Sequence, residues 1–268
     1  MSESPLLDPA PSPETLTAWS THLGHPVIDA AALRQELSSG PNLAEAFAAV
    51  ALRYPNAKAL TIDGVTLTHR QVDEQARRAA SALRGWGIGV GSPVAIVADT
   101  DLSVVIAYLG ALRTGASVTF VDGSHTPTEL SRVLSAANAG MALATGTSLQ
   151  RLTEVGGDWA AIGLKDSDRA TIGEVLADRR SPGPEPVIDS GSTAILAFTS
   201  GSTGEPKPVP LSHINLLSSI RGALAAWRWT ADDRLVHSLP IGHQHGLGGI
   251  HAALLTGSHT VVLARFDP

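Results

Sequence analysis

Apolar positions along this chain follow two periods. From residue 43 onward Leu43, Phe47, Val50 and Ala51 share one helical face, and Asn42 is placed to cap the first turn. Pro55 ends that helix. Residues 58–62 and 65–67 read as two strands across Asp63-Gly64, a strong turn dipeptide. Thr68 then caps a helix over 70–86 with Val72, Ala76, Ala79, Ala80 and Leu83 as its buried stripe. Beyond it, short apolar runs at 94–98, 117–121, 141–144 and 159–164 alternate with helical patterns at 101–113, 126–137 and 148–155, with Gly115 as a stop. Strands spaced by helices of this length predict right-handed βαβ units and a parallel sheet. The pattern resumes with a strand at 194–198, a helix at 214–227 after Ser212, a strand at 234–239, a helix at 248–255 and a strand at 260–264. The expected fold class is α/β, with mostly parallel sheets flanked by helices.

Two stretches lack this periodicity. Residues 1–41 are rich in Ser, Pro and Ala; 2–13 read as a flexible leader, and Trp19 with 29–37 suggests a short helix packed on the body. Residues 179–191, RRSPGPEPVIDSG, read as a linker marking a joint between two sheets. The expected division is a leader and short helix at 1–41, a first α/β subdomain at 42–178, the linker, and an incomplete second subdomain at 192–268.

Composition narrows the class. A 43% hydrophobic content supports a sizeable core, and 4% aromatics makes that core mostly Ala, Val, Leu and Ile. Net charge of −6 argues against a nucleic-acid partner. The absence of cysteine excludes disulfides, thiolate metal sites and a cysteine nucleophile. No apolar run approaches the roughly 18 residues of a membrane span, and the N-terminus carries no signal pattern. The expectation is a soluble cytoplasmic protein with no membrane partner.

The chemistry concentrates after the 194–198 strand. Thr199-Ser200-Gly201-Ser202-Thr203-Gly204 are small or hydroxylated residues that can turn tightly and bring backbone N–H groups against a polyphosphate. Lys207 adds a compact positive charge on a flexible stem. An ordinary Ser/Gly surface loop is the competing reading of those six residues. The string is neither a Walker A loop nor a nucleophile elbow. A second constellation, Leu239-Pro240-Ile241-Gly242-His243-Gln244-His245-Gly246-Leu247, lies between a strand and a helix. Histidine is dense here: His213, His237, His243, His245, His251 and His259. Partly buried histidines at element ends are the ordinary reading of each one. A zinc site of His243, His245 and His251 is a second, disfavoured because nothing acidic lies between Leu235 and Arg265 to complete it; no metal site is expected.

The full string TSGSTGEPK closely resembles the phosphate-loop signature of the adenylate-forming superfamily, which comprises acyl- and aryl-CoA synthetases, adenylation domains of nonribosomal peptide synthetases, and luciferases. The usual wording is Thr-Ser-Gly-Ser/Thr-Thr-Gly-x-Pro-Lys-Gly-Val. Pro208 stands where the family has Gly; it removes an N–H, which weakens nucleotide binding if that amide contacts phosphate or pairs locally. Leu67-Thr68-His69-Arg70-Gln71-Val72 resembles an early Leu-Thr-Tyr-x-Glu-Leu motif. Residues 107–122, AYLGALRTGASVTFVD, resemble Leu-Lys-Ala-Gly-Ala-x-x-x-Pro-x-Asp. Pro240, His243, Gly246 and Leu247 match Pro-x-x-His-x-x-Gly-Leu, which makes His243 the candidate wall of the acyl pocket, with Gln244 and Gly246 beside it. Gly242 replaces a usual aromatic, so this part of the pocket is expected to be enlarged. The closest wording is that of malonyl-CoA synthetases, through Ala226-Trp227-Arg228-Trp229-Thr230 to Asp233, His237 to Ile241, and Phe266-Asp267-Pro268. A dicarboxylate needs a cation in the pocket; Arg228 and Arg265 are candidates for it, against a surface-charge reading that is favoured.

The resemblance spans roughly residues 43–268 and implies a two-step reaction. A carboxylate attacks the α-phosphate of Mg-ATP, and coenzyme A then takes the acyl group. Thr199, Ser200, Gly201, Ser202, Thr203, Gly204 and Lys207 would hold the phosphates. The family's catalytic lysine, adenine site, Mg2+-ligating Glu, ribose Asp and mobile C-terminal lid have no counterpart in these 268 residues. Three readings stay open: a truncated acyl-CoA synthetase, which is favoured, a natural half-enzyme needing a separate C-terminal polypeptide, and a non-catalytic phosphate-binding or interaction remnant.

Overall fold

The computed structural model describes residues 12–23, 26–27, 29–62, 64–97, 100–144, 146–156, 160–163, 184–199 and 207–263. The helices are α1 (Pro13–Leu23), α2 (Ala30–Leu37), α3 (Leu43–Arg53), α4 (His69–Gly85), α5 (Leu102–Thr114), α6 (Pro127–Ala136), α7 (Gly146–Val155), α8 (His213–Trp227) and α9 (Gln244–Thr256). The strands are β1 (Lys58–Ile62), β2 (Val65–Thr68), β3 (Pro93–Val97), β4 (Ser117–Val121), β5 (Met141–Ala144), β6 (Ala160–Gly163), β7 (Thr193–Thr199), β8 (Lys207–Ser212), β9 (Arg234–His237) and β10 (His259–Val262). The α/β class is as expected, with mostly parallel ladders.

Local chemistry sets the helix starts. Asn42 accepts from Glu45 N–H, Asp101 from Ser103 N–H, and Thr68, Thr126 and Ser212 form reciprocal capping boxes with Gln71, Glu129 and Asn215. Each such cap is worth about 1 kcal/mol. Gln71, read as a departure from an acidic motif position, does the same reciprocal work as an acid. Gly115 ends α5 at φ 78°, where a Cβ would also press on Val90.

Two sheets form. A six-stranded sheet runs β6-β5-β3-β4-β7-β8, parallel except for β8; a four-stranded sheet runs β2-β1-β10-β9, parallel except for β2. The largest apolar cluster joins β1 and β10 of one sheet to β3 and β4 of the other through α3, α4, α5, α8 and α9, so these helices lie between the sheets. A second cluster packs α6 and α7 on the opposite face of β3, β4 and β5. The close α4–α5 crossing depends on Gly110, where a Cβ would fall 2.6 Å from Ala79 Cβ.

Several expectations need correction. Residues 179–183 of the expected linker lie outside the described set, and the strands on either side of 179–191 belong to one sheet rather than two, with β7 pairing parallel to β4. The four-stranded sheet instead draws β1 and β2 from the proposed first subdomain and β9 and β10 from the second. Residues 184–189 are fastened to the body. Arg113, 4% exposed, makes two bonds of 2.7 and 2.8 Å to Glu185 and one to Asp73, while Asn42 Nδ2 donates to Ile188 O. Pro13 opens a helix rather than closing a leader; residues 1–11 lie outside the described set.

Strand β8 had no counterpart in the sequence pattern because Pro208 and Pro210 argue against a strand. It is an edge strand. Pro208, Pro210 and Ser212 share one edge, and Ser212 N–H donates to Asn215 rather than to β7. The prolines therefore face the open edge, and Pro208 costs the ladder nothing.

Candidate active site

The carboxyl ends of parallel strands, at a point where successive crossovers go to opposite faces, form the usual ligand crevice of an open α/β sheet. Here that point lies between β3 and β4. After β3 the chain enters α5 on the inner face; after β4 it enters α6 on the outer one. Four pieces of chain meet at this rim: Thr100 beyond β3, residues 122–125 beyond β4, the end of β7 with the start of β8, and the turn ahead of α9.

Thr199 and Lys207 are cross-strand partners at the rim. Both are exposed, and Lys207 makes no ion pair among the described residues. Ser200, Gly201, Ser202, Thr203 and Gly204 lie outside the described residues.

The turn before α9 seats on β3 and β4. Ile241 N–H donates to Thr100 Oγ1 at 3.4 Å, and a Cβ on Gly242 would lie 3.9 Å from Phe120 Cβ. His243 is the α9 N-cap residue, with its backbone bonded to Pro240 O and Leu247 N and its exposed imidazole making no capping bond. Gln244 opens the helix. Gly246 has a packing role: a Cβ there would fall 1.8 Å from Pro240 O.

Pattern reading passed over the turn after β4, although a strand end at the switch point was the signal that could have found it. Asp122 Oδ1 accepts from Ser124 N–H at 2.7 Å. Its carboxyl is held below the usual range by Ser124's hydroxyl and N–H, and further by the fields of His125 and His243. Asp122, His125 and His243 thus share one corner of the crevice.

The remaining histidines disperse. His251 is fully buried, bonded through Nε2 to Tyr108 OH at 2.9 Å and packed against Phe47, and burial lowers its pKa to about 3. His213 is buried with Nδ1 accepting from Leu43 N–H, its pKa lowered by burial to about 4. His237 is buried beneath Gly249, and His259 bonds Thr61. The His243–His245–His251 metal reading fails on geometry: the first two are exposed at the start of α9, while the third is committed to Tyr108. No group of three ligand side chains suited to a metal occurs among the described residues. Arg228 caps the end of α8 ahead of the amino end of β9, whereas His243 follows its carboxyl end, so the two lie at opposite ends of that strand. Arg265, like residues 266–268, lies outside the described set.

Residues 47–268 match the family of AMP-binding enzymes. The chain belongs to that family. Rice (Oryza sativa subsp. japonica) 4-coumarate–CoA ligase 5 is 30% identical over 223 residues, which is 78% of this chain and 41% of the ligase. Bacitracin synthase 3 of Bacillus licheniformis is 30% identical over 225 residues, 83% of this chain and 3% of the synthase. The crystal structure of a putative long-chain-fatty-acid CoA ligase from Rhodopseudomonas palustris superposes with a TM-score of 0.78 at 27% identity, covering 85% of this chain and 58% of that one. The chain therefore spans less than two thirds of these relatives. Among its described residues no helix is long and apolar enough to cross a membrane.

Proposed function

We propose that this AMP-binding chain supplies the phosphate-binding and acyl-binding portion of an ATP-dependent carboxylate ligase that makes an acyl-adenylate and passes the acyl group to coenzyme A. The observation that carries the reading is the pairing of Thr199 with Lys207 at the same sheet rim that holds His243 over β4. An exposed ammonium without an ion-pair partner among the described residues, beside a hydroxyl at a parallel-sheet rim, suits a polyphosphate. Mg-ATP is the substrate there, and its metal would share the neutralisation of charge on the transferring group.

The chain's own residues have distinct tasks. Lys207 offsets charge on the β- and γ-phosphates, with Thr199 and the hydroxyls and amides of 200–204 as further donors. His243, exposed at the α9 N-cap, borders the carboxylate. Asp122 places a carboxylate in that corner. The wording shared with malonyl-CoA synthetases favours a short acid such as malonate, whereas Asp122 beside His243 disfavours a second carboxylate. The shared reading is a carboxylic acid, ATP and CoA, in a cytoplasmic enzyme whose remaining part is carried by a longer gene product or a separate C-terminal polypeptide.

The test is carboxylate-dependent pyrophosphate release, with a panel of acids including malonate. The 268 residues alone should release none and bind ATP weakly. Adding a polypeptide equivalent to the remainder of a relative should restore release, and Lys207→Ala should lower the restored rate at least ten-fold. Turnover by these residues alone would refute the incomplete-site reading. Restored turnover indifferent to Lys207→Ala would refute the phosphate assignment.

A further inference from the structure

The corner beside His243 contains a paired exchange of side chains. At position 242 the resembling motif carries an aromatic, and this chain has glycine. Two positions before the aspartate of the other motif it carries proline, and this chain has Phe120. The structure sets these two departures against each other, since a Cβ built on Gly242 would lie 3.9 Å from Phe120 Cβ, its near neighbour among the described residues. Gly242 is exposed and Phe120 is half-buried, so neither is lost in the core. The Phe120 ring leans on Tyr108, with centroids 5.2 Å apart and planes at 57°. Tyr108 is fully buried and fixed by its bond to His251.

Resting on the reading under Proposed function, we infer that Phe120 supplies the aromatic wall of the acyl slot in place of residue 242, and that this wall selects acids with an apolar alkyl or aryl chain. Phe120 stands two residues before Asp122, with its Cβ against the turn that carries His243. A carboxylate directed at His243 therefore lays its first carbons against the Phe120 face. Tyr108, itself held by His251, supports the ring, which keeps the wall from yielding as a lone edge phenylalanine would. Gly242 puts no side chain of its own on that side. The enlargement expected from Gly242 alone is thus partly reversed from the other side.

The test is NMR titration of the 268-residue chain with 3-phenylpropanoate, acetate and malonate, reading the Gly242 amide and the Phe120 ring protons. ATP is titrated in parallel, reading the Thr199 and Lys207 amides. Saturable shifts with 3-phenylpropanoate, at least ten-fold tighter than with either short acid, are expected. Phe120→Ala should weaken that binding at least five-fold. Phe120→Ala combined with Gly242→Phe should return it to within about two-fold, because the ring is restored from the facing position. Phe120→Leu keeps most of the apolar volume at this half-buried position and guards against a folding defect; its urea midpoint should match wild type while phenylpropanoate still weakens. Unchanged affinity in Phe120→Ala and Phe120→Leu, or tighter malonate than phenylpropanoate, overturns the inference. If ATP still shifts Lys207 in that case, the function reading stands. Silence to ATP and every acid overturns both.

Discussion

His251 is the sharpest place to test the energetics of this fold. Its ring is fully buried, Nε2 is engaged by Tyr108 and Nδ1 has no partner among the described residues. Only the neutral ring is tolerated there, which is why burial holds its pKa near 3 against 6.5 unfolded. The unfolded chain therefore binds a proton that the folded chain refuses. The stability this site contributes is complete above pH 6.5 and is lost progressively as pH falls below it. At pH 5 the unfolded histidine is protonated and the folded one is not, so the loss is 1.5 pH units at 1.36 kcal/mol each, about 2 kcal/mol. His213, lowered by burial to about 4, has a similar deficit over the same window, about 2 kcal/mol more. Burial lowers His69, His237 and His259 in the same direction. Urea unfolding at pH 8 and pH 5 should show a drop of at least about 4 kcal/mol, a large share of the 5–15 kcal/mol typical of a domain. His251→Gln keeps a polar group near Tyr108 but cannot titrate, so its drop should be smaller by about 2 kcal/mol. Equal stability at the two pH values, or a His251→Gln variant with the wild-type drop at an unchanged m-value, would refute the reasoning.

Two further predictions address the site and its support. Gly246→Ala drives a methyl into the Pro240 carbonyl, with Ile241 Cα also 2.9 Å away, and backbone cannot rotate aside; the chain should lose about 3 kcal/mol in urea unfolding and the His243 amide should shift in NMR spectra. Arg113→Met removes the buried one of the two cations that Asp73 and Glu185 share and leaves them only the more exposed Arg77. Discounted for the partial exposure of both acids, the loss should be about 2 kcal/mol by thermal or urea unfolding, and amide exchange across residues 184–189 should quicken.

The chain's local chemistry decided the helix starts, the first hairpin, the alternation of strand and helix, and the class. Asn42, Thr68 and Ser212 cap as their positions imply, and Asp101 and Thr126, read as first helical residues, cap their helices as well, because a cap involves partners only two or three residues away. The phosphate-loop wording and the Pro240–Leu247 motif were likewise visible as strings. Strand order was not. The placement of β10 between β1 and β9, and of β7 beside β4, depends on which faces bury best together across some two hundred residues, and no period of 2 or 3.6 encodes that. The same limit hid β8, since prolines read as strand breakers until an open edge is available for them to face. It also hid the separate fates of six similar histidines. His243 and His251 lie eight residues apart on one short stretch, yet one stands at a solvent-lined rim and the other is sealed against Tyr108. Burial is a property of what other segments bring to a site, so only the assembled fold could divide them.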